Sequence, residues 1–318
     1  CIRDRCLPEL AMHLFLHIGP HKTGTTAIQT CFADNASALR RKGVLYPKCN
    51  WAYPAQHRLA FAMKDKVNPI DGSRPDFTAE LEALCSALEK SHLPRAFLSS
   101  EEFFASPKDR IAALKAALPV QKVTILAYPR RPDTFLLSCY NQKTKQVGNG
   151  FAAPIARFLR EPRKIAPEID YLACITAWAD VFDDEHLVIR PFEAGSPLDD
   201  ILQHLNIPTL GAQKTLNQSV PGAVVEVMRL AKVQDMDVAQ QRKLFAKASE
   251  VFAGWPPFCV PDVDRLRIIE TFERDNDALF ARFGQKNPYR AAAFEPTLSA
   301  PQQNITVHDL TKLISTLL

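Results

Sequence analysis

Apolar and polar positions change rhythm several times along this chain. His13 to Ile18 (HLFLHI) is a short, mostly apolar run closed by Gly19-Pro20, and the stretch from Thr25 through Asp34 fits a helix, so the pattern predicts strand, loop, helix. Gly43 to Pro47 (GVLYP), Arg95 to Ser99 (RAFLS) and Val123 to Tyr128 (VTILAY) predict three further strands, with helices near Phe77 to Lys90 and Asp109 to Leu118 between them. Strands alternating with helices predict a parallel sheet covered on both faces, a three-layer α/β/α arrangement. After Pro132 the pattern turns mainly helical, interrupted by one more strand at Leu187 to Arg190. The later helices, around 224–232, 238–253 and 262–278, either flank the sheet or cap its ligand edge. Residues 1–11 have neither period and are expected to be a leader or an artefact ahead of a natural start at Met12. Residues 12–230 are expected to form the α/β core, and 231–318 a helical extension that packs on or caps it.

A length of 318 residues suits one large α/β domain or two smaller ones. With 47% hydrophobic and 23% charged residues the chain is neither disordered, collagenous nor a coiled coil. Its net charge of +4 suits an anionic ligand and is far from the basic stripe of a nucleic-acid binder. Eight cysteines without a C-x-x-C pair point to thiols in a reducing compartment rather than a zinc ribbon or a disulfide framework. No apolar run approaches a membrane span and no signal-peptide core is present, so the expected location is cytoplasmic.

The first loop changes the picture. Gly19-Pro-His-Lys-Thr-Gly-Thr-Thr26 lies between a buried strand and a helix N-terminus, where backbone N–H groups and the helix dipole favour an anion. Its G-x-x-x-x-G spacing is that of a Walker loop, but residue 25 is Thr instead of Lys and the only lysine, Lys22, lies inside the loop. An ordinary NTPase uses the post-glycine Lys on the β/γ-phosphates and the next hydroxyl on magnesium, so the loop is poorly matched to Mg-ATP or Mg-GTP and no metal is expected. As plain structure, the same segment is a tight turn with Thr25 or Thr26 as helix N-cap and Lys22 in solvent. His13, His17 and His21 are spaced as on one helix face, but Gly19-Pro20 forbids a helix there, and His17 reads as a core or near-site histidine.

A second anion signal follows the fourth predicted strand. Arg130 and Arg131 stand just past its carboxyl end, and Ser138 lies eight residues after Arg130 on the next predicted helix. Such an Arg and Ser can converge on one phosphate, as a bidentate fork and a neutral donor.

Together PHKTGTTAIQ and YPRRPDTFLLSCYNQ resemble the two cofactor motifs of sulfotransferases that use 3′-phosphoadenosine 5′-phosphosulfate (PAPS), members of a superfamily with a P-loop NTPase-like fold. LSSEEF at 98–103, IRPFE at 189–193 and LNQSVPGAV at 216–224 look most like its bacterial carbohydrate-type branch. The likeness spans about residues 12–230 and is densest in the two motifs. It implies that Lys22, Thr23, Gly24, Thr25 and Thr26 hold the 5′-phosphosulfate, and that Arg130 and Ser138 hold the 3′-phosphate. It also gives the missing Walker lysine a reason, since sulfuryl transfer needs no magnesium bridge, and it puts Lys22 where charge develops on the departing phosphate oxygen. PAPS would be the co-substrate, and the partner a small-molecule or glycan acceptor with a carbohydrate-like hydroxyl.

The third predicted strand ends at Leu98-Ser-Ser-Glu-Glu-Phe103, on the edge where ligands gather in open parallel sheets. Glu101 or Glu102 can take the acceptor proton, with Glu101 preferred and His21 the competing base; a helix-start carboxylate stabilised by the dipole is the structural alternative. Two other readings stay open: a kinase-like enzyme using a nucleoside triphosphate, which predicts magnesium dependence, and a nucleotide-binding module without turnover.

Overall fold

The computed structural model describes residues 10–210, 220–296 and 309. Five strands, β1 (Leu10–Gly19), β2 (Val44–Leu45), β3 (Arg95–Ser99), β4 (Val120–Ala127) and β5 (Leu187–Ile189), form one sheet in the order β2-β3-β1-β4-β5, and every neighbouring pair is parallel. The first nine helices are α1 (Thr25–Asp34), α2 (Ala36–Arg41), α3 (His57–Met63), α4 (Phe77–Glu89), α5 (Lys108–Ala117), α6 (Pro132–Lys145), α7 (Ile155–Arg160), α8 (Pro162–Ile165) and α9 (Tyr171–Phe182). They are followed by α10 (Pro197–His204), α11 (Gly222–Val233), α12 (Val238–Val251) and α13 (Asp262–Arg282).

The chain divides into two compact units whose segments alternate along the sequence. The first comprises residues to 130, 170–216 and 275–287; the second comprises 131–169, 217–274 and 288–318. All five strands lie in the first unit. Leu14, Leu16 and Ile18 of β1 are fully buried on one face of the sheet, and Phe15 and His17 are buried on the other, as both faces of a helix-covered parallel sheet require. On the second face Phe15, Phe97, Leu126 and Tyr128 pack against Ile28 and Phe32 of α1 and Leu198, Ile201 and Leu202 of α10. Helices therefore lie on both sides of the sheet, the expected α/β architecture.

The register fixes where the strands stop. His17 is paired with Ser99, and Gly19 with Ala127, so β1, β3 and β4 finish along one edge. The chain crosses that edge with main-chain bonds intact: Ser100 N–H donates to His17 O (3.1 Å) and Tyr128 N–H to Gly19 O (2.9 Å). The strand order diverges at β1, whose neighbours β3 and β4 lie on opposite sides, and this switch point is where an open α/β sheet forms its crevice.

The second unit has its own core, in which Val224, Val227 and Met228 of α11 meet Leu244 and Ala248 of α12 and Phe252, the residue that follows it. Asp133, fully buried near the start of α6, accepts from Arg131 Nε (2.7 Å) and Arg265 Nε (2.9 Å). Lys232 closes the other end of α6, its Nζ donating to Lys143 O (3.1 Å), Thr144 O (2.7 Å) and Asn149 Oδ1 (2.6 Å), which satisfies carbonyls that a helix C-terminus leaves open. A cavity of about 1020 Å³ in this unit is lined by Trp255, Phe258, Ile268 and Phe272 among others.

Three expectations shift. β1 starts at Leu10, within the stretch read as a leader, and Val44–Leu45 is all that remains of the predicted 43–47 strand. The fourth strand runs Val120–Ala127, starting earlier than 123. Residues 1–9, the first part of LNQSVPGAV, and residues 297–308 and 310–318 lie outside the described residues.

Candidate active site

The loop after β1 takes its shape from three left-handed residues. Gly19 has φ 102°, Lys22 φ 67° and Gly24 φ 77°. A Cβ on Gly19 would lie 2.9 Å from Glu101 Cα, so both the backbone angle and the neighbour require glycine there. Gly24 is the N-cap of α1 and no side chain caps that terminus, so the alternative with Thr25 or Thr26 as cap does not hold. Gly24 takes the left-handed turn that a threonine disfavours, and the helix starts one residue later with no side chain capping its first N–H groups. Thr23 turns its hydroxyl inward to donate to Pro20 O (2.7 Å), bracing the loop, while Thr25 is buried and Thr26 exposed.

The two arginines after β4 have separate tasks. Arg130 donates from Nη1 to Lys22 O (2.7 Å) and its guanidinium lies 5.2 Å over the Phe192 ring, so it reaches the loop directly. Its own carbonyl accepts from Tyr171 Oη (2.8 Å). Arg131 is engaged with Asp133 inside the second unit. Ser138 lies in the second turn of α6, also in the second unit, and is half-buried.

A carboxylate cluster stands beside the loop. Ser100 caps a 3-10 turn over Glu101–Phe103, accepting from Glu102 N–H at 3.2 Å. Glu102 is ion-paired with Lys64 and lies 3.2 Å from His21 Nε2. Burial raises its carboxyl, but the hydrogen bond and charge of His21 together with Lys64 outweigh that and hold it far below the usual carboxylate range. Glu101 Oε2 accepts from Gln29 Nε2 (2.7 Å) and faces His57 Nε2 at 4.0 Å, whereas Oε1 faces His21 Nδ1 at 3.8 Å, beyond hydrogen-bond range. Burial pushes Glu101 up, and His21, His57 and the Gln29 amide bring it below the ordinary glutamate value, so it is ionised at neutral pH.

His17, fully buried, shares a 2.9 Å hydrogen bond between its Nδ1 and Ser99 Oγ, and burial lowers its pKa to about 4. His17 is thus the near-site core histidine expected from the sequence. Lys22, His21, Glu101, Glu102 and Arg130 are brought together at one strand edge.

Four participants were not legible: Gln29, His57, Lys64 and Ser100. Gln29 lies on the inward face of α1, and its PHKTGTTAIQ position was the one available cue. His57 and Lys64 sit at the two ends of α3, a helix the hydrophobic pattern did not announce.

No family model matches the sequence, and no curated protein matches it. Among solved structures, a sulfotransferase from Alicyclobacillus acidocaldarius is similar at 16% identity and a TM-score of 0.45, covering 75% of this chain and 100% of its own.

Proposed function

We propose that this protein is a PAPS-dependent sulfotransferase that moves a sulfuryl group to a carbohydrate-like hydroxyl by in-line displacement. The observation that carries the reading is the loop itself: a left-handed, uncapped strand-to-helix turn with Lys22 inside it, no lysine after Gly24, and Glu101 packed against Gly19. The uncapped N–H groups of α1 suit the 5′-phosphosulfate. Arg130, already reaching the loop at Lys22 O, suits a phosphate of the same nucleotide, with Ser138 assigned to the 3′-phosphate on the sequence motif.

In the proposed step the acceptor oxygen forms a bond to sulfur as the bond from sulfur to the 5′-phosphate oxygen breaks. The electron pair stays on that phosphate oxygen, where Lys22 offsets the charge, and the acceptor proton passes to Glu101. Glu102, held by Lys64 and His21, is too weak a base for this, and it serves to hold the loop histidine.

Calorimetry with adenosine 3′,5′-bisphosphate and with AMP tests the reading. The bisphosphate should bind more tightly by about 1.5–3 kcal/mol, one charge-assisted hydrogen bond's worth, and EDTA should leave transfer from labelled PAPS intact. Equal affinities, or a magnesium requirement, would favour a nucleoside-triphosphate enzyme instead.

A further inference from the structure

We propose that the cavity of the second unit is a binding site for an amphipathic anion, a ligand whose apolar chain or ring system fills the space between α7 and α13 and whose single negative group meets Arg160 at the rim. None of the residues assigned to sulfuryl transfer takes part.

One wall of the cavity is the segment from Trp255 to Pro261, and it is tied down by main chain. Gly222 N–H donates to Pro256 O (2.9 Å), and Pro221 and Pro257 form an antiparallel bridge. A Cβ on Gly222 would lie 3.1 Å from Phe258 Cα, so the glycine that opens α11 lets the segment lie close against that helix. Phe258 packs in turn on Tyr140 of α6, with ring centroids 5.1 Å apart. Pro256, Pro257 and Pro261 restrict the backbone further. Fastened in this way, the segment has little freedom to sink into the space beside it, and about 1020 Å³ stays open. That is the upper end of the size range of small-molecule sites. Trp255 and Phe258 from the segment, Ile268 and Phe272 from α13, and Ile155 and Leu159 from α7 give it mainly apolar walls. Such walls take up an apolar body by removing its surface, and their own, from water.

The sign of the ligand follows from the charged residues of the lining, Arg160, Glu226, Asp264 and Arg267. Both acids are matched: Arg229 Nε donates to Glu226 Oε2 at 2.9 Å, and Arg267 Nη1 to Asp264 Oδ1 at 3.4 Å. Arg160, exposed at the end of α7, has no ion pair among the described residues. A second cation borders the same space, the Arg163 guanidinium 4.7 Å over the Phe272 ring. Apolar walls under an uncompensated guanidinium discriminate by charge. A neutral chain gains burial alone, a cation also meets repulsion, and an anion gains burial together with a bidentate partner. Because Arg160 is exposed, the anionic group stays at the water's edge and escapes the cost of burying a charge.

The test is calorimetry on the full chain with three probes that share one alkyl chain: dodecanoate, dodecanol and dodecyltrimethylammonium, each below its micelle concentration. Dodecanoate should bind saturably at a single site, about tenfold more tightly than dodecanol, which is what one charge-assisted hydrogen bond supplies. The ammonium should bind more weakly than either. Arg160→Glu should abolish the preference for dodecanoate and turn it towards the ammonium. Ala156→Trp, which sends an indole into the space from an exposed position of α7, should weaken all three probes by about tenfold or more. Unfolding midpoints by urea titration report whether each variant folds. If Ala156→Trp does not, Arg160→Glu, a change at the surface, decides by the charge preference alone. The absence of saturable dodecanoate binding, which would mean that the chain's own residues fill or close the cavity, overturns the proposal. So does equal affinity for dodecanol or the ammonium, or a dodecanoate affinity that stays at the wild-type value in either folded variant.

Discussion

Glu101 and Glu102 are adjacent, yet their surroundings assign them different work. Glu102 meets a lysine and a histidine, and Glu101 meets an amide and two imidazoles. Glu101→Gln keeps the shape and cannot accept a proton, so kcat should drop by about 10²- to 10⁴-fold with bisphosphate affinity preserved. Glu102→Gln leaves Lys64 and His21 without their partner and should loosen the loop, which would appear first in nucleotide affinity. Collapse of kcat in Glu102→Gln with normal turnover in Glu101→Gln would exchange their roles. Lys22 makes a different distinction. If it acts on the departing oxygen, Lys22→Ala lowers kcat more than it weakens bisphosphate binding; an affinity loss at constant kcat would reduce it to an anchor of the ground state.

At the scale of elements, the start of α6 depends on one buried carboxylate. Asp133 has no exposure and serves Arg131 and Arg265 together, so Asp133→Ala removes the carboxylate that the two guanidinium groups share in the second unit, while Arg265 Nη1 keeps Asp262 Oδ1 at 3.2 Å. The loss should be about 3–5 kcal/mol, read as a fall in unfolding midpoint by urea titration, and a change below about 1 kcal/mol would mean that the cluster is well solvated. Arg130 and Arg131 stand side by side after β4, yet Arg130 turns to the loop at Lys22 O and Arg131 to Asp133, because adjacency in the chain says nothing about which way each side chain turns. The same limit hid α3. Leu59, Ala60, Phe61, Ala62 and Met63 are all buried, so this seven-residue helix has no polar face and no 3.6-residue period to detect. By contrast α1 (Thr25–Asp34) and β3 (Arg95–Ser99) were legible to the residue because glycine, proline and polar breaks bound them clearly. The loop and the carboxylates could be read from local motifs. Gln29, His57 and Lys64 could not, because only the fold carries α1 and α3 to the turn at Glu101, Gln29 from 72 residues away in sequence and Lys64 from 38 before Glu102.

Across the whole molecule, acid sensitivity follows from histidines kept neutral. His17 is fully buried with a pKa of about 4 in the folded chain, and it titrates near 6.5 when unfolded. Between those values the unfolded chain binds more protons, so stability falls as pH drops from about 6.5 to about 4, and below that the loss is complete. For one such group the loss is on the order of 3 kcal/mol. His13, half-buried and also lowered to about 4 by burial, acts in the same direction. Urea unfolding at pH 7 and pH 5 should show this decline, and His17→Asn should flatten it. An identical slope in the variant would remove His17 from the account.

The approach of Gly19 to Glu101 has a practical side for anyone wishing to remodel this edge of the sheet. Because the two backbones touch with no room for a methyl group, the loop after β1 and the proposed base cannot be adjusted independently: shifting the end of β3 would push on the turn at Gly19. If the proposed function holds, room for a different acceptor is better sought from the α3 side, where the segment from Trp51 to Gln56 includes the exposed Tyr53 and joins the strand edge through hydrogen bonds. Hydrogen bonds can be re-formed after a small displacement; a steric contact at its limit cannot.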